Sequence, residues 1–139
     1  MFTVAAADCS ETRTDPYGIL TSPVDPSTGD YRRQDACVYF INVHNARQVT
    51  FFITDFISED SKDVLEYGVG YDADTLLSRG IFQGDLTGAL PAAITIDVTG
   101  EPLWFLWTTD NNTEFKGWEL HYVTGMYVMC IGPISSALN

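Results

Sequence analysis

Along this chain, large apolar residues recur at every second position over short stretches, the period that a pleated strand imposes. Val49, Phe51 and Ile53 alternate with Thr50, Phe52 and Thr54. Cys37, Tyr39 and Ile41 share one side of another run, and Leu103, Phe105 and Trp107 one side of a third. In GWELHYV the alternation is clean: Trp118, Leu120 and Tyr122 face one way, Glu119 and His121 the other. Pro and Gly punctuate the chain at strand-length intervals, from Pro16 and Gly18 to Gly117 and Gly125, and no helical stripe interrupts them. This predicts strands over 17–21, 37–43, 48–56, 64–69, 76–84, 92–97, 103–108 and 117–123, with a further candidate at 126–131. Many short strands with regular turn signals are the pattern of an all-β sandwich of two antiparallel sheets.

The alternation that turns Cys37, Tyr39 and Ile41 inward turns Val38 and Phe40 outward, and by the same logic Phe52, Trp104 and Leu106. So many large apolar groups on an outer face mark either an interface or a surface covered by the chain's own arms, 1–7 and 126–138. The tail MYVMCI, with Tyr127 and Cys130, is strand-like and apolar. Such a strand leaves backbone groups unpaired unless it docks on a sheet edge, its own or a neighbour's.

Composition narrows the function classes. With 139 residues the chain has the size of one domain, and its 45% hydrophobic and 19% charged content is that of a globular protein. Nineteen acidic against seven basic residues give a formal charge of −12, which argues against nucleic acid and for cations or a basic protein surface. No apolar run approaches the ~20 residues of a membrane span. The start MFTVAAA lacks the basic residues of a signal peptide and reads either as the end of one or as an excised segment. Three cysteines, Cys9, Cys37 and Cys130, mean that at least one thiol is free or pairs between chains. His44 falls in a turn and His121 points outward. With no nucleophile elbow, metal-type His pair or phosphate loop, the reading is of a protein that is not an enzyme.

One stretch carries chemistry. Between the strands 48–56 and 64–69 lies Glu59-Asp60-Ser61-Lys62-Asp63, a turn too short and polar to pack. Two carboxylates at the ends of a tight loop can converge on one point, as a hard cation such as calcium requires. An ordinary acidic hairpin loop is the other reading of this stretch.

The order of these motifs resembles the CUB domain of extracellular proteins. Tyr17-Gly18-Ile19-Leu20-Thr21-Ser22-Pro23 is similar to its opening strand and turn, followed by Pro26 and Tyr31 in the spaced loop. Cys37-Val38-Tyr39-Phe40-Ile41 is similar to its cysteine–aromatic–aliphatic run, and Val49 to Phe56 to its central strand. Phe82-Gln83-Gly84 falls on a Phe-Cys-Gly position, and Trp107-Thr108-Thr109-Asp110 with Gly117-Trp118 falls on later motifs. The resemblance runs from Cys9 to about Tyr122. It implies a jelly-roll-like sandwich at 9–123, between an N-terminal arm, 1–8, and a C-terminal apolar extension, 124–139.

By position, the resemblance also implies a Cys9–Cys37 disulfide and a calcium site. Its ligands would be Glu59, Asp63, Asp110 and the backbone carbonyl of Asn112, with Tyr17 as the supporting tyrosine. The second disulfide of the family is missing: Gln83 replaces one cysteine and the acidic loop has none. Asn111-Asn112-Thr113 is an N-glycosylation sequon, giving Asn111 as a glycan site. Two functions follow. One is a secreted, calcium-stabilised protein-interaction module that receives a Lys or Arg of a partner at the site. The other is a self-assembling subunit of an extracellular filament or coat, built through the apolar face and the arms.

Overall fold

The computed structural model describes residues 9–110 and 114–126. Among the described residues, nine strands run in chain order: β1 (Glu11–Arg13), β2 (Tyr17–Thr21), β3 (Ala36–Ile41), β4 (Ala46–Ile57), β5 (Val64–Val69), β6 (Gly80–Gln83), β7 (Ile94–Asp97), β8 (Leu103–Thr108) and β9 (Gly117–Met126). They form a five-stranded sheet of order β1-β3-β8-β5-β6 and a four-stranded sheet of order β2-β9-β4-β7. Every pairing is antiparallel except that of β1 on β3, which is parallel. The all-β sandwich expected from the alternation is therefore the observed fold.

The inner faces are those the alternation assigns. Tyr39 and Ile41 of β3, Phe51 and Ile53 of β4, Leu65 of β5, Leu103, Phe105 and Trp107 of β8, and Trp118, Leu120 and Tyr122 of β9 are all buried in one core. Its aromatic rings meet edge-on, the arrangement that their quadrupoles favour: Phe51 on Phe105 at 5.0 Å between centroids, Tyr39 on Trp118 at 5.5 Å. A disulfide joins Cys9 to Cys37, with Cα atoms 5.3 Å apart, and so fastens the segment leading into β1 to β3. Closing a loop of 28 residues in this way stabilises the fold by roughly 3–4 kcal/mol. The Ser10 hydroxyl accepts from the Val38 backbone N–H at 3.0 Å and sets the register of β1.

Three sequence expectations change. The run 76–84 is not one strand: a 3₁₀ turn, Thr75–Leu77, comes first, capped by the Asp74 carboxylate accepting from Leu76 N–H at 2.9 Å. β9 runs on to Met126, pairing Thr124 with Val49 and Gly125 with Gln48, and the rest of the candidate strand 126–131 lies outside the described residues, as do Tyr127 and Cys130. Third, the outer apolar positions among the described residues do not share a single surface. Phe52 is exposed, but it belongs to the four-stranded sheet, whereas Val38, Phe40, Trp104 and Leu106 belong to the five-stranded one. Val38, Phe40 and Leu106 are half-buried and Trp104 is fully buried.

The burial of Trp104 has a local cause. Its strand neighbour is Gly68, and a Cβ there would stand 2.3 Å from the indole and 2.9 Å from the Leu77 carbonyl. The turn after β5 thus folds back over the outer face, and the missing side chain of Gly68 makes room for the indole. Gly68→Ala should force the indole or the turn to move, costing about 1–3 kcal/mol. Thermal unfolding should show a melting temperature several degrees below wild type, and an unchanged value would mean that the turn does not clamp Trp104.

Candidate functional site

At one end of the sandwich, β4 leads into the acidic turn and β8 runs out to Asp110. Ser61 takes a left-handed backbone conformation (φ 61°), which lets the Lys62 and Asp63 amides return to the Glu59 carbonyl at 3.2 and 3.1 Å. That closure fulfils what the five-residue turn promises: Glu59 and Asp63 are brought to one point. Asp110 joins them, and carboxylate oxygens of Glu59, Asp63 and Asp110 lie within 4.8 Å of one another.

Asp63 is the buried member, with 0% exposure. One carboxylate oxygen accepts from the Tyr31 hydroxyl at 2.5 Å and the other from the Asp110 backbone N–H at 2.8 Å. The same hydroxyl accepts from the Glu59 N–H at 3.1 Å. Tyr31 therefore sits between two of the acids, its ring edge-on to Trp107 at 5.1 Å between centroids. The loop bearing it is tied to the Asp110 strand. Thr109 Oγ1 accepts from Asp35 N–H at 2.7 Å and donates to the Arg32 carbonyl at 2.9 Å, while Gln34 N–H donates to the Asp110 carbonyl at 2.9 Å. Arg32 in turn pairs with buried Asp35 at 2.9 Å.

On the other side, Ser58 replaces a covalent tie. Its backbone N–H donates to the Gly84 carbonyl at 3.0 Å. Its hydroxyl accepts from Gly84 N–H at 3.0 Å and donates to the Asp63 carbonyl at 2.8 Å. The acidic turn is thereby laced to the residue after Gln83, where the resemblance implies a missing disulfide. Gly117 holds the neighbouring corner at a positive φ of 93°, with Ser22 packed where a Cβ would be.

The electrostatics are strained. Burial raises the pKa of Glu59, and repulsion from Asp110 and Asp63 raises it further. Burial likewise raises that of Asp63, against the lowering effect of the hydrogen bonds from Tyr31 and the Asp110 amide. Burial and the bond to Asp63 together hold the Tyr31 hydroxyl protonated, with its pKa pushed up. Glu59 Oε1 is shut off from solvent and has no hydrogen-bond partner. A buried acceptor without a donor, inside a ring of like charges, is what a hard cation with oxygen ligands would satisfy.

Not every expected residue is here. Tyr17 is 71% exposed on β2 and pairs with Val123, six positions along β9 from Gly117; Tyr31 supplies the tyrosine instead. Asn111 and Asn112 lie outside the described residues. Ser58, Asp35 and Thr109 position the site, and sequence reasoning did not single them out. Tyr31 did leave a signal, as a lone aromatic in the polar stretch DPSTGDYRRQD.

Comparison with known proteins agrees with this architecture. A family model described as "CUB domain" matches residues 9–122. Fibropellin-1 of Strongylocentrotus purpuratus is 35% identical over 118 residues, spanning 84% of this chain and 11% of the relative. Fibropellin-3 of the same organism is 34% identical over 116 residues, spanning 84% of this chain and 20% of the relative. The chain thus corresponds to a small part of these longer proteins. Among solved structures, the MASP-1 CUB2 domain bound to Ca2+ matches with a TM-score of 0.62 and 25% identity over 83% of this chain and 99% of that one. The CUB1-EGF-CUB2 region of human MASP-1/3 gives a TM-score of 0.64 and 26% identity over 84% of this chain and 42% of that one. The sandwich, its order of strands and these matches agree that the chain belongs to the CUB domain family, whose members are typically extracellular protein–protein interaction modules without catalytic activity.

Proposed function

We propose that this chain is a non-enzymatic, extracellular interaction module whose recognition end is held together by calcium. The observation that carries this reading is the convergence of Glu59, Asp63 and Asp110, with Glu59 Oε1 buried and unpartnered. A solved relative, the MASP-1 CUB2 domain, is bound to Ca2+, which supports the same ion here. Glu59, Asp63 and Asp110 would hold the ion from the protein side, and the resemblance adds the Asn112 carbonyl. When bound, calcium would offset two of the three negative charges and tie the acidic turn to the end of β8. Tyr31 keeps two of the ligand-bearing segments in register, and the Ser58 lacing keeps the turn closed. The ligand oxygens that remain turned outward would then accept a Lys or Arg side chain of a partner protein. The sequon at Asn111, next in sequence to Asp110, would carry a glycan. Secretion fits both the family and the disulfide, which persists in oxidising compartments.

Calcium should stabilise the fold measurably. Extracellular sites bind with dissociation constants of order 10⁻⁴–10⁻³ M, so about 1 mM calcium should add about 0.4–1.4 kcal/mol. Calorimetry should record a melting temperature a few degrees higher with calcium than without, and Asp110→Asn should remove the difference. Persistence of the full shift in that variant would overturn the assignment.

Acid should remove the effect in a defined direction. Without the ion, the raised pKa values of Glu59 and Asp63 mean that the folded state binds protons more tightly than the unfolded chain. These two groups therefore oppose folding as the pH rises through their folded-state pKa, and calcium competes with the protons. The calcium-induced shift should be largest near about pH 7 and shrink towards zero at about pH 4, starting above the ordinary carboxylate range. A shift that grew on acidification would place the ion elsewhere.

A further inference from the structure

The outer face of the four-stranded sheet carries a second surface, separate from the acidic end. Cross-strand register puts Ile19 beside His121 and His121 beside Phe52. In the next row Tyr17 pairs with Val123, which pairs with Thr50. Tyr17 is 71% exposed, Val123 48%, Ile19 47% and Phe52 41%. The His121 ring stacks on Phe52 at 5.2 Å between centroids, and Glu119 fixes it through a 2.9 Å contact to its Nε2. The two rows stand about 7 Å apart and cross three strands, a width of about 10 Å. Charges of both signs border them. Asp55, Glu119 and Lys116 line a hollow at one end, and exposed Arg47 stands at the bulge beside Gln48 and Asp97 at the other. Such a border favours neither an acidic nor a basic occupant.

The chain itself supplies an uncharged one. β9, the middle strand of the face, leads into residues 127–139, which lie outside the described residues. Their sequence, YVMCIGPISSALN, holds no acidic or basic side chain, in a chain of which 19% is charged. Tyr127, Val128, Met129 and Ile131 make an apolar run, and Gly132-Pro133 ends it. Fully extended, this tail reaches roughly 40 Å, several times the height of the face. β9 is flanked by β2 and β4, so the run cannot widen the sheet beside its own strand. Gly125 lies on the same side as Val123 and is exposed, so no side chain obstructs a turn back over the face. The other outward apolar groups are farther off. Val38, Phe40 and Leu106 belong to the opposite sheet and are half-buried, and Ile81 stands on β6 at that sheet's edge.

We propose that residues 127–131 turn back over β9 of their own chain and cover the face formed by Ile19, Phe52 and Val123. Burial of the two apolar surfaces against each other holds the contact, and no charge pairing is needed. The C-terminal extension is then a strap that belongs to the domain, and a partner reaches the face only by displacing it. This inference does not rest on the calcium reading, because none of its residues belongs to the acidic site.

The test uses isotope-labelled full-length protein with the Cys9–Cys37 bond intact and a nitroxide spin label on Cys130, the remaining cysteine. Ile19, Phe52, His121 and Val123 should lose most of their NMR intensity, while Val38, Phe40, Leu106 and Ile81 keep theirs. Dilution should not change this pattern. Val128→Asp together with Ile131→Asp, which alters no residue of the sandwich core, should restore the intensity at Ile19 and Phe52. Loss confined to the end of β9, or loss that persists in the doubly charged variant, would mean that the tail does not dock. Loss centred on Val38 and Phe40, or on Ile81, would place it elsewhere and overturn the proposal. So would two signs of a second copy as the occupant. One is loss at the face of isotope-labelled molecules mixed with separate spin-labelled ones, and the other is a Cys130 found joined to another chain.

Discussion

The acidic end of the molecule depends on one buried charge. Asp63 is wholly enclosed, and its carboxylate is met by a hydroxyl from the loop before β3 and an amide from the end of β8. Those two bonds draw together segments from three separate parts of the sequence. Removing either donor would leave an enclosed carboxylate partly unsatisfied, a loss of about 1–3 kcal/mol or more because the group is charged. Glu59 and Asp110 are then held close as a consequence, since each also bonds to the same tyrosine–aspartate pair through its backbone. The cluster is thus assembled by the Tyr31 hydroxyl and two backbone amides, and its mutual repulsion is the cost of that assembly.

The rest of this end compensates for a covalent bond that is absent. A disulfide would fix the turn after β4 to the end of β6 by shortening the unfolded chain's options. Ser58 fixes the same two places with three hydrogen bonds in the folded state. The two devices differ in kind. Hydrogen bonds give geometry but leave the unfolded ensemble unrestrained, so this end depends more on whatever else the acids bind.

Alternation made most of the fold legible. Wherever a strand has one face in the core, apolar residues at every second position both mark the strand and assign its inner face, as in Leu103, Phe105 and Trp107. β1 escaped because Glu11, Thr12 and Arg13 carry no such contrast; a disulfide and a serine hydroxyl place them, both long-range. Trp104 misled for a related reason. Alternation says which face of its own sheet a residue occupies, but not which loop lies over that face, nor that Phe52 sits on a different sheet. At the site, the carboxylates were legible because their positions fit a family pattern, whereas the supporting tyrosine was assigned to Tyr17. Both tyrosines lie in the early, turn-rich part of the chain, and only the tertiary path of the 25–35 loop brings Tyr31 to Asp63.

The parallel strand β1 gives the Cys9–Cys37 bond a role in solubility. Three residues of parallel pairing hold weakly by themselves, and β1 is the element that covers the outer edge of β3. With the bond reduced, β1 is released more easily, and β3 is left with a row of unpaired amides and carbonyls beside half-buried Val38 and Phe40. An open apolar edge of this kind is a template on which another chain can add a strand. Oxidation of this one pair therefore protects the sheet from strand-by-strand aggregation, a service distinct from the loop entropy it removes.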